Sequence, residues 1–145
     1  IGLHGIESDS RWQEFLRPVS RLKTIVSQVK DIRAGESVGY GRREFLKEDS
    51  RIATIAIGYS DGFRRAFSAG KVFLKWKDFK LPVVGNVCMD MTMLDITGLE
   101  AAEGDEVLVF GKTLPVRQLA QWAGTIPYEI LTNISRRVKR IYFEE

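Results

Sequence analysis

At 145 residues the chain is long enough for one domain and only barely for two. Its composition, 44% hydrophobic and 28% charged, excludes a disordered polymer, and a net charge of +3 with a pI of about 9.1 is too mild to indicate a nucleic-acid partner by itself. One cysteine and one histidine exclude an internal disulfide and leave too few ligands for a protein-only zinc site, while no apolar run approaches the roughly 18–20 residues of a membrane helix. The expectation is a globular protein of a reducing cytoplasm, with no metal, membrane or nucleic acid among its partners.

Residues 1–7 lack a methionine, a basic start and a cleavage site, so they are not a signal peptide. They read like the end of a strand, and the chain reads as a piece of a longer protein. Residues 8–18 differ in character: Ser10 could cap a short amphipathic turn holding Trp12, Phe15 and Leu16 before Pro18, a connector to whatever precedes the domain.

From there, short strands separated by turns dominate. Residues 22–32 are rich in β-branched side chains and stop at Arg33-Ala34-Gly35-Glu36. In 51–57 isoleucine alternates with smaller residues, placing Ala53, Ile55 and Ile57 on one face of a strand that ends at Gly58, with Asp61-Gly62 as a turn. Strands 71–76 and 79–84 flank Lys77-Asp78 as a hairpin, in which Pro82 implies an edge or a ladder that begins later. Residues 86–96 form the longest strand candidate, and 105–111 form another.

Helix is expected only late. The first spans 114–123, with Thr113 as a candidate N-cap, Pro115 near its start and Gly124 as its stop; the second covers 127–134 and starts at Pro127. Residues 138–143 close the domain as a strand. This pattern predicts a mainly β protein: a barrel of about 6–9 strands with two short helices near the C-terminus.

Four segments could carry chemistry. In Val38-Gly39-Tyr40-Gly41, two glycines let the backbone bend and push a tyrosine outward, or simply pack it over a bulge. In Gly58-Tyr59-Ser60-Asp61-Gly62-Phe63-Arg64-Arg65, a tyrosine and two arginines follow a strand end, either a loop aimed at an anion or a solvated surface. In Asn86-Val87-Cys88-Met89-Asp90-Met91-Thr92-Met93, the methionines share one strand face and suit flexible core, while Asp90 among apolar neighbours would need a hydrogen-bonding partner if buried. In Gly124-Thr125-Ile126-Pro127-Tyr128, a sharp helix–loop–helix offers backbone N–H groups that could help hold a phosphate, or is a plain helical hairpin. No glycine-rich phosphate loop and no serine–histidine–acid set is present. The basic run 135–140 reads as the wet face of the closing strand.

Together, in order and spacing, these segments resemble the alanine racemase C-terminal domain family, over about 17–143; Leu22-Lys23-Thr24 and Ile134-Ser135-Arg136-Arg137-Val138 match as well. The resemblance implies that 1–17 are the end of a (β/α)8 barrel plus a connector, that 18–145 are the β domain, and that the barrel bearing the lysine that binds pyridoxal phosphate lies outside this chain. It implies a homodimer in which this domain completes the site on the other subunit's barrel. Tyr40 matches the tyrosine that exchanges the α-proton opposite the lysine, and Met89 the residue whose backbone N–H contacts the substrate carboxylate. Tyr59 and Tyr128 match tyrosines at the mouth of the site, with Tyr128 also approaching the cofactor phosphate; Arg65 and Ile126 line the entrance.

The chain departs from the family at Asn86, where many members carry an entrance arginine. It departs also at His4, often tyrosine, and at Arg136 and Lys139, often proline. Some bacterial members are fused behind a Mur-ligase domain, and this segment is compatible with such a fusion. Two other readings remain at this stage: a β-barrel module binding RNA or protein through basic residues and exposed aromatics such as Trp76 and Phe79, and a purely structural dimerisation unit.

Overall fold

The structure, a computed structural model, describes residues 17–39 and 44–143. Its strands are β1 (Leu22–Ile32), β2 (Ser37–Val38), β3 (Glu44–Phe45), β4 (Ser50–Ile55), β5 (Phe73–Trp76), β6 (Phe79–Val84), β7 (Thr92–Asp95) and β8 (Glu106–Phe110). Two helices follow, α1 (Val116–Ala123) and α2 (Pro127–Thr132), and two 3-10 turns occupy Tyr59–Asp61 and Arg65–Phe67. Residues 1–16 and Tyr40, and with them the expected connector and His4, lie outside the described residues.

Six strands close into an antiparallel barrel in the order β1-β4-β7-β6-β5-β8. Closure depends on the length of β1. Its first residues pair with β8 and its later ones with β4, and irregularities at Leu22/Lys23 and Val26/Gln28 let one strand bend between two neighbours. A closed ladder leaves no unpaired edge, the usual liability of short sheets.

The alternation expected of 51–57 holds: Ala53, Ile55 and Ile57 point into the core. Leu74, Leu81, Val83, Leu94, Ile96, Val107 and Val109 fill the same interior, each removed almost wholly from water. A side chain of this size contributes roughly 1.5–3 kcal/mol on burial, so the barrel core supplies most of the driving force. Val116, Leu119 and Ala120 of α1 and Ile130 of α2 join it, and Phe63 and Phe67 meet with ring centroids 4.7 Å apart. Lys77 turns the β5–β6 hairpin with a φ of 52°.

Pro82 lies on the outer face of β6, a strand with a neighbour on each side and not an edge strand. The Val83 N–H donates toward β5, to Val72 O, so the proline nitrogen faces β7, where the ladder begins only at Val83. A smaller apolar cluster lies apart from the main core: Val38, Ile52, Val84 and Met93 are buried together under the β2–β3 hairpin. There a Cβ on Gly39 would stand 2.8 Å from Met93 Cε, and one on Gly85 would stand 3.0 Å from Val38 O, so Gly39 leaves room for the Met93 methyl and Gly85 lets the two backbones meet.

Four expectations are corrected. Residues 86–96 are not one strand; only Thr92–Asp95 pairs, and 86–91 form a loop, so Met89 and Met91 are exposed while Met93 alone is buried. Residues 138–143 form no strand, because β1 and β8 already close the barrel and leave the tail no edge to join. Thr113 does not cap α1: Pro115 takes the N-cap position in extended conformation and the helix starts at Val116. Trp76 is buried, not exposed, which removes one of the two aromatics of the RNA-binding reading.

Candidate functional site

Topology gathers the marked segments at one end of the barrel. β4 runs out there, β6 ends there and β7 begins there, since each is antiparallel to the next. The 3-10 turn after β4 and the 86–91 loop between β6 and β7 are therefore neighbours. The helices follow β8, whose C-terminal residue Phe110 pairs with Leu22 at the start of β1, again at this end.

The contact between turn and loop is unusually close because Gly58 has no side chain. A Cβ there would lie closer than 3.0 Å to Cys88 O, Met89 O and Met89 C. The turn's N–H groups exploit this: Tyr59 N donates to Cys88 O and Ser60 N to Met89 O, both at 3.0 Å. The Ser60 hydroxyl lies 2.6 Å from Met89 O and 2.9 Å from Asp90 Oδ1 and, having one proton, donates to one of them. Below, the buried Thr92 hydroxyl donates to Ile57 O at 2.7 Å, fixing the end of β4 against β7.

Asp61 organises the turn from within. Its Oδ2 accepts the Gly58 N–H at 2.9 Å and its Oδ1 accepts Arg137 Nε at 2.7 Å. Arg137 also donates through Nη2 to Asp90 Oδ1, and to Ser60 Oγ at 2.5 Å. The Arg137 hydrogen bond, then that of Ser60, holds the Asp90 carboxyl below its ordinary range. Asp61 first and Asp90 second keep the guanidinium still more firmly protonated than usual. The tail is held in turn by Ser135 N, which donates to Asp61 O at 3.1 Å, and by Arg140, which donates to the carbonyls of Ile134, Ser135 and Val138.

A second tie joins the turn to α2. Arg64 Nη1 meets Glu129 Oε1 at 2.6 Å, and the other oxygen of Glu129 accepts the Thr125 hydroxyl. Pro127 opens α2 at its first position, with Ile126 as the N-cap. Between turn and helix lies an open depression of about 510 Å³ lined by Tyr59, Gly62, Arg64, Arg65, Glu129 and Asn133.

Of the residues singled out from sequence, Tyr59 and Arg65 share this depression, and Met89 lies beside Tyr59 through the paired backbones. Tyr128 and Ile126 stand on the first turn of α2. Tyr59, Met89, Ile126 and Tyr128 are all well exposed, at 43%, 55%, 61% and 42%. Asn86 is half-buried at the far end of the loop; a Cβ on Gly39 would lie 3.5 Å from its nitrogen, so it adjoins the segment that leads to Tyr40 in sequence. Asp90 is exposed yet partnered. The sequence reading missed Ser60, Asp61, Arg137 and the Arg64–Glu129–Thr125 chain; Asp61 had been read only as a turn residue, and Arg137 only as part of a wet basic face.

The Met89 carbonyl is held by the Ser60 N–H, but the Met89 N–H donates to nothing among the described residues. The geometry defines a β domain that presents phenols, thioethers and an available backbone donor on an exposed face. The chain belongs to the alanine racemase C-terminal domain family, whose match covers residues 19–142.

It is 38% identical over 130 residues to the alanine racemase of Aquifex pyrophilus, covering 90% of this chain and 38% of that protein. It is 45% identical over 134 residues to alanine racemase 1 of Caldanaerobacter subterraneus subsp. tengcongensis, covering 88% and 34%. Among solved structures, alanine racemase from Bartonella henselae with covalently bound pyridoxal phosphate superposes with a TM-score of 0.90 at 35% identity, covering 98% of this chain and 40% of that one. The biosynthetic alanine racemase of Pseudomonas aeruginosa gives 0.87 at 32%, covering 97% and 40%. The chain thus spans well under half the length of the relatives it matches. Among the described residues no helix is long and apolar enough to cross a membrane.

Proposed function

We propose that this domain, residues 18–145, is one part of a pyridoxal-phosphate-dependent racemase that interconverts L- and D-alanine in the cytoplasm for cell-wall synthesis. In this reading residues 1–17 end a preceding (β/α)8 barrel and lead into the domain. The observation that carries it is the pinned 86–91 loop with its available Met89 N–H beside Tyr59, in a chain of this family. The residues fit a minor share in holding the cofactor. Tyr128 is exposed, and a phenol can share one hydrogen bond with a phosphate; Arg64, the cation joined to the same helix, pairs with Glu129. When bound, pyridoxal phosphate supplies the electron sink that stabilises negative charge at the amino acid's α-carbon.

Inverting that carbon needs a proton removed on one face and returned on the other. Tyr40 serves one face. A phenol of pKa about 10 must be lowered by nearby positive charge to act as a base near neutrality, and that charge comes from the barrel of the other subunit of a homodimer, with the barrel's lysine on the opposite face. Met89 N–H holds the substrate carboxylate, while Tyr59 and Tyr128 narrow the mouth and favour a side chain as small as a methyl. Arg65, Ile126 and Asn86 line the entrance, Asn86 lowering its positive charge relative to an arginine. Alone, the domain is expected to be colourless and inactive.

The test is α-proton exchange in D2O by the full-length protein carrying Tyr40→Phe, run separately on each enantiomer. Loss of racemisation with exchange persisting from D-alanine supports Tyr40 as the second base. Wild-type exchange and interconversion of both enantiomers would make the tyrosine structural.

A further inference from the structure

The loop that carries Met89 has no strand partner of its own. Its order comes from a few contacts: Val87 N donates to Ser68 Oγ at 3.0 Å, Cys88 N to Met91 O at 3.0 Å, and the Cys88 and Met89 carbonyls accept from the Gly58–Ser60 turn. The last of these fixes the direction of the available donor. The described peptides are all trans, and in a trans peptide C=O and N–H point opposite ways. With Cys88 O aimed at Tyr59 N, the Met89 N–H of the same peptide unit points away from the turn. Because Met89 O is held as well, rotation about Met89 is restrained on both sides.

Turn and loop form one body, and a single side chain from the C-terminal tail touches both. Arg137 reaches Asp61 in the turn, Ser60 beside it and Asp90 in the loop, the residue that follows Met89. These ion pairs are half-exposed, and exposed pairs contribute little to global stability. Their consequence is geometric: a planar guanidinium with donors in a fixed fork spans two carboxylates that would otherwise repel each other. It also neutralises a negative charge one residue from the N–H that is to receive an anion.

We infer that Arg137 is a positioning residue for substrate binding: by joining Asp61 to Asp90 it sets the place and the charge environment of the Met89 N–H. This rests on the racemase reading above and adds to it a residue that touches neither substrate nor cofactor.

The test uses the full-length protein with Arg137→Ala, Arg137→Lys, Asp90→Ala and Arg137→Ala/Asp90→Ala, and Arg136→Ala as a control on the same exposed segment. Because a lost binding contact appears in KM and a lost proton transfer in kcat, Arg137→Ala should raise KM for both alanine enantiomers at least about tenfold with kcat changed less than about threefold. Asp90→Ala should raise KM several-fold, and the double variant should do no worse than Arg137→Ala alone, since one tie is being cut twice. Lysine, a point charge that cannot span both carboxylates, should recover less than half of the loss. Independently of turnover, the Tyr59 and Ser60 amides should exchange with D2O faster in Arg137→Ala, and Arg136→Ala should match wild type throughout.

An Arg137→Ala protein that is active with KM within about twofold of wild type would overturn the inference and leave the racemase reading standing. If Arg137→Ala does not fold, Asp90→Ala, which keeps the Asp61 pair, decides: an unchanged or lowered KM overturns the inference. A wild-type protein without racemase activity would instead overturn the reading beneath it.

Discussion

Replacing Gly58 by alanine tests the most demanding contact in the structure. The backbone there is extended, with φ −147° and ψ −166°, so alanine meets no conformational penalty and the effect isolates crowding. The new methyl would fall closer than 3.0 Å to two carbonyl oxygens and a carbonyl carbon, against 3.4–4 Å for ordinary contact, and all three are backbone atoms that cannot rotate aside. The loop must withdraw. Doing so lengthens two hydrogen bonds, from Tyr59 N and Ser60 N. At about 0.5–1.5 kcal/mol each, with about 1–3 kcal/mol for the crowding that relaxation leaves, the loss comes to roughly 2–6 kcal/mol. For a domain of this size that corresponds to a fall in Tm on the order of 10 °C, measurable by thermal denaturation of the 145-residue chain. Gly104→Ala is the control, since its φ of 91° is unfavourable for alanine but nothing crowds the position; it should cost only about 1–2 kcal/mol. A Gly58→Ala chain melting within about 2 °C of wild type would refute the reasoning, because a packed backbone contact cannot absorb a methyl at so little cost.

Leu94→Ala empties a fully buried position between β4 and β6 and should cost about 2–5 kcal/mol in urea denaturation, with the m-value unchanged. The Asp90 pair gives a pH signature. Its carboxyl is held below its ordinary value of 3.8, so its contribution is present above that pH and disappears as acidification protonates the folded form. The stability difference between wild type and Asp90→Asn, followed by Tm, should therefore be present at neutral pH and shrink towards zero well below pH 3.8; a difference that grows on acidification would contradict the assignment.

Much of the barrel was legible because its signals are local. Alternation marked Ala53, Ile55 and Ile57, Lys77-Asp78 marked a hairpin, and Pro127 and Gly124 marked helix limits. The 86–91 loop was misread as strand because Val87, Met89, Met91 and Met93 imitate a period-2 face. What overrides that pattern is long-range: Gly85 turns the chain at φ +67°, and the Gly58 turn takes up the loop carbonyls that a strand would have offered to a neighbour. The closing segment failed for a topological reason, since a barrel already sealed by β1 and β8 has no ladder to extend. Arg137 escaped notice because its carboxylates lie 76 and 47 residues away in sequence, and no local pattern of charge announces such a pairing. The order of motifs conveyed which family the chain belongs to; it did not convey how the loop is held.

The β2–β3 hairpin rests on its own small apolar patch of Val38, Ile52, Val84 and Met93, separate from the main core. Cys88 of the 86–91 loop leans on the same patch, so the hairpin and the loop share one footing, and repacking these four side chains would shift both while leaving the main core intact.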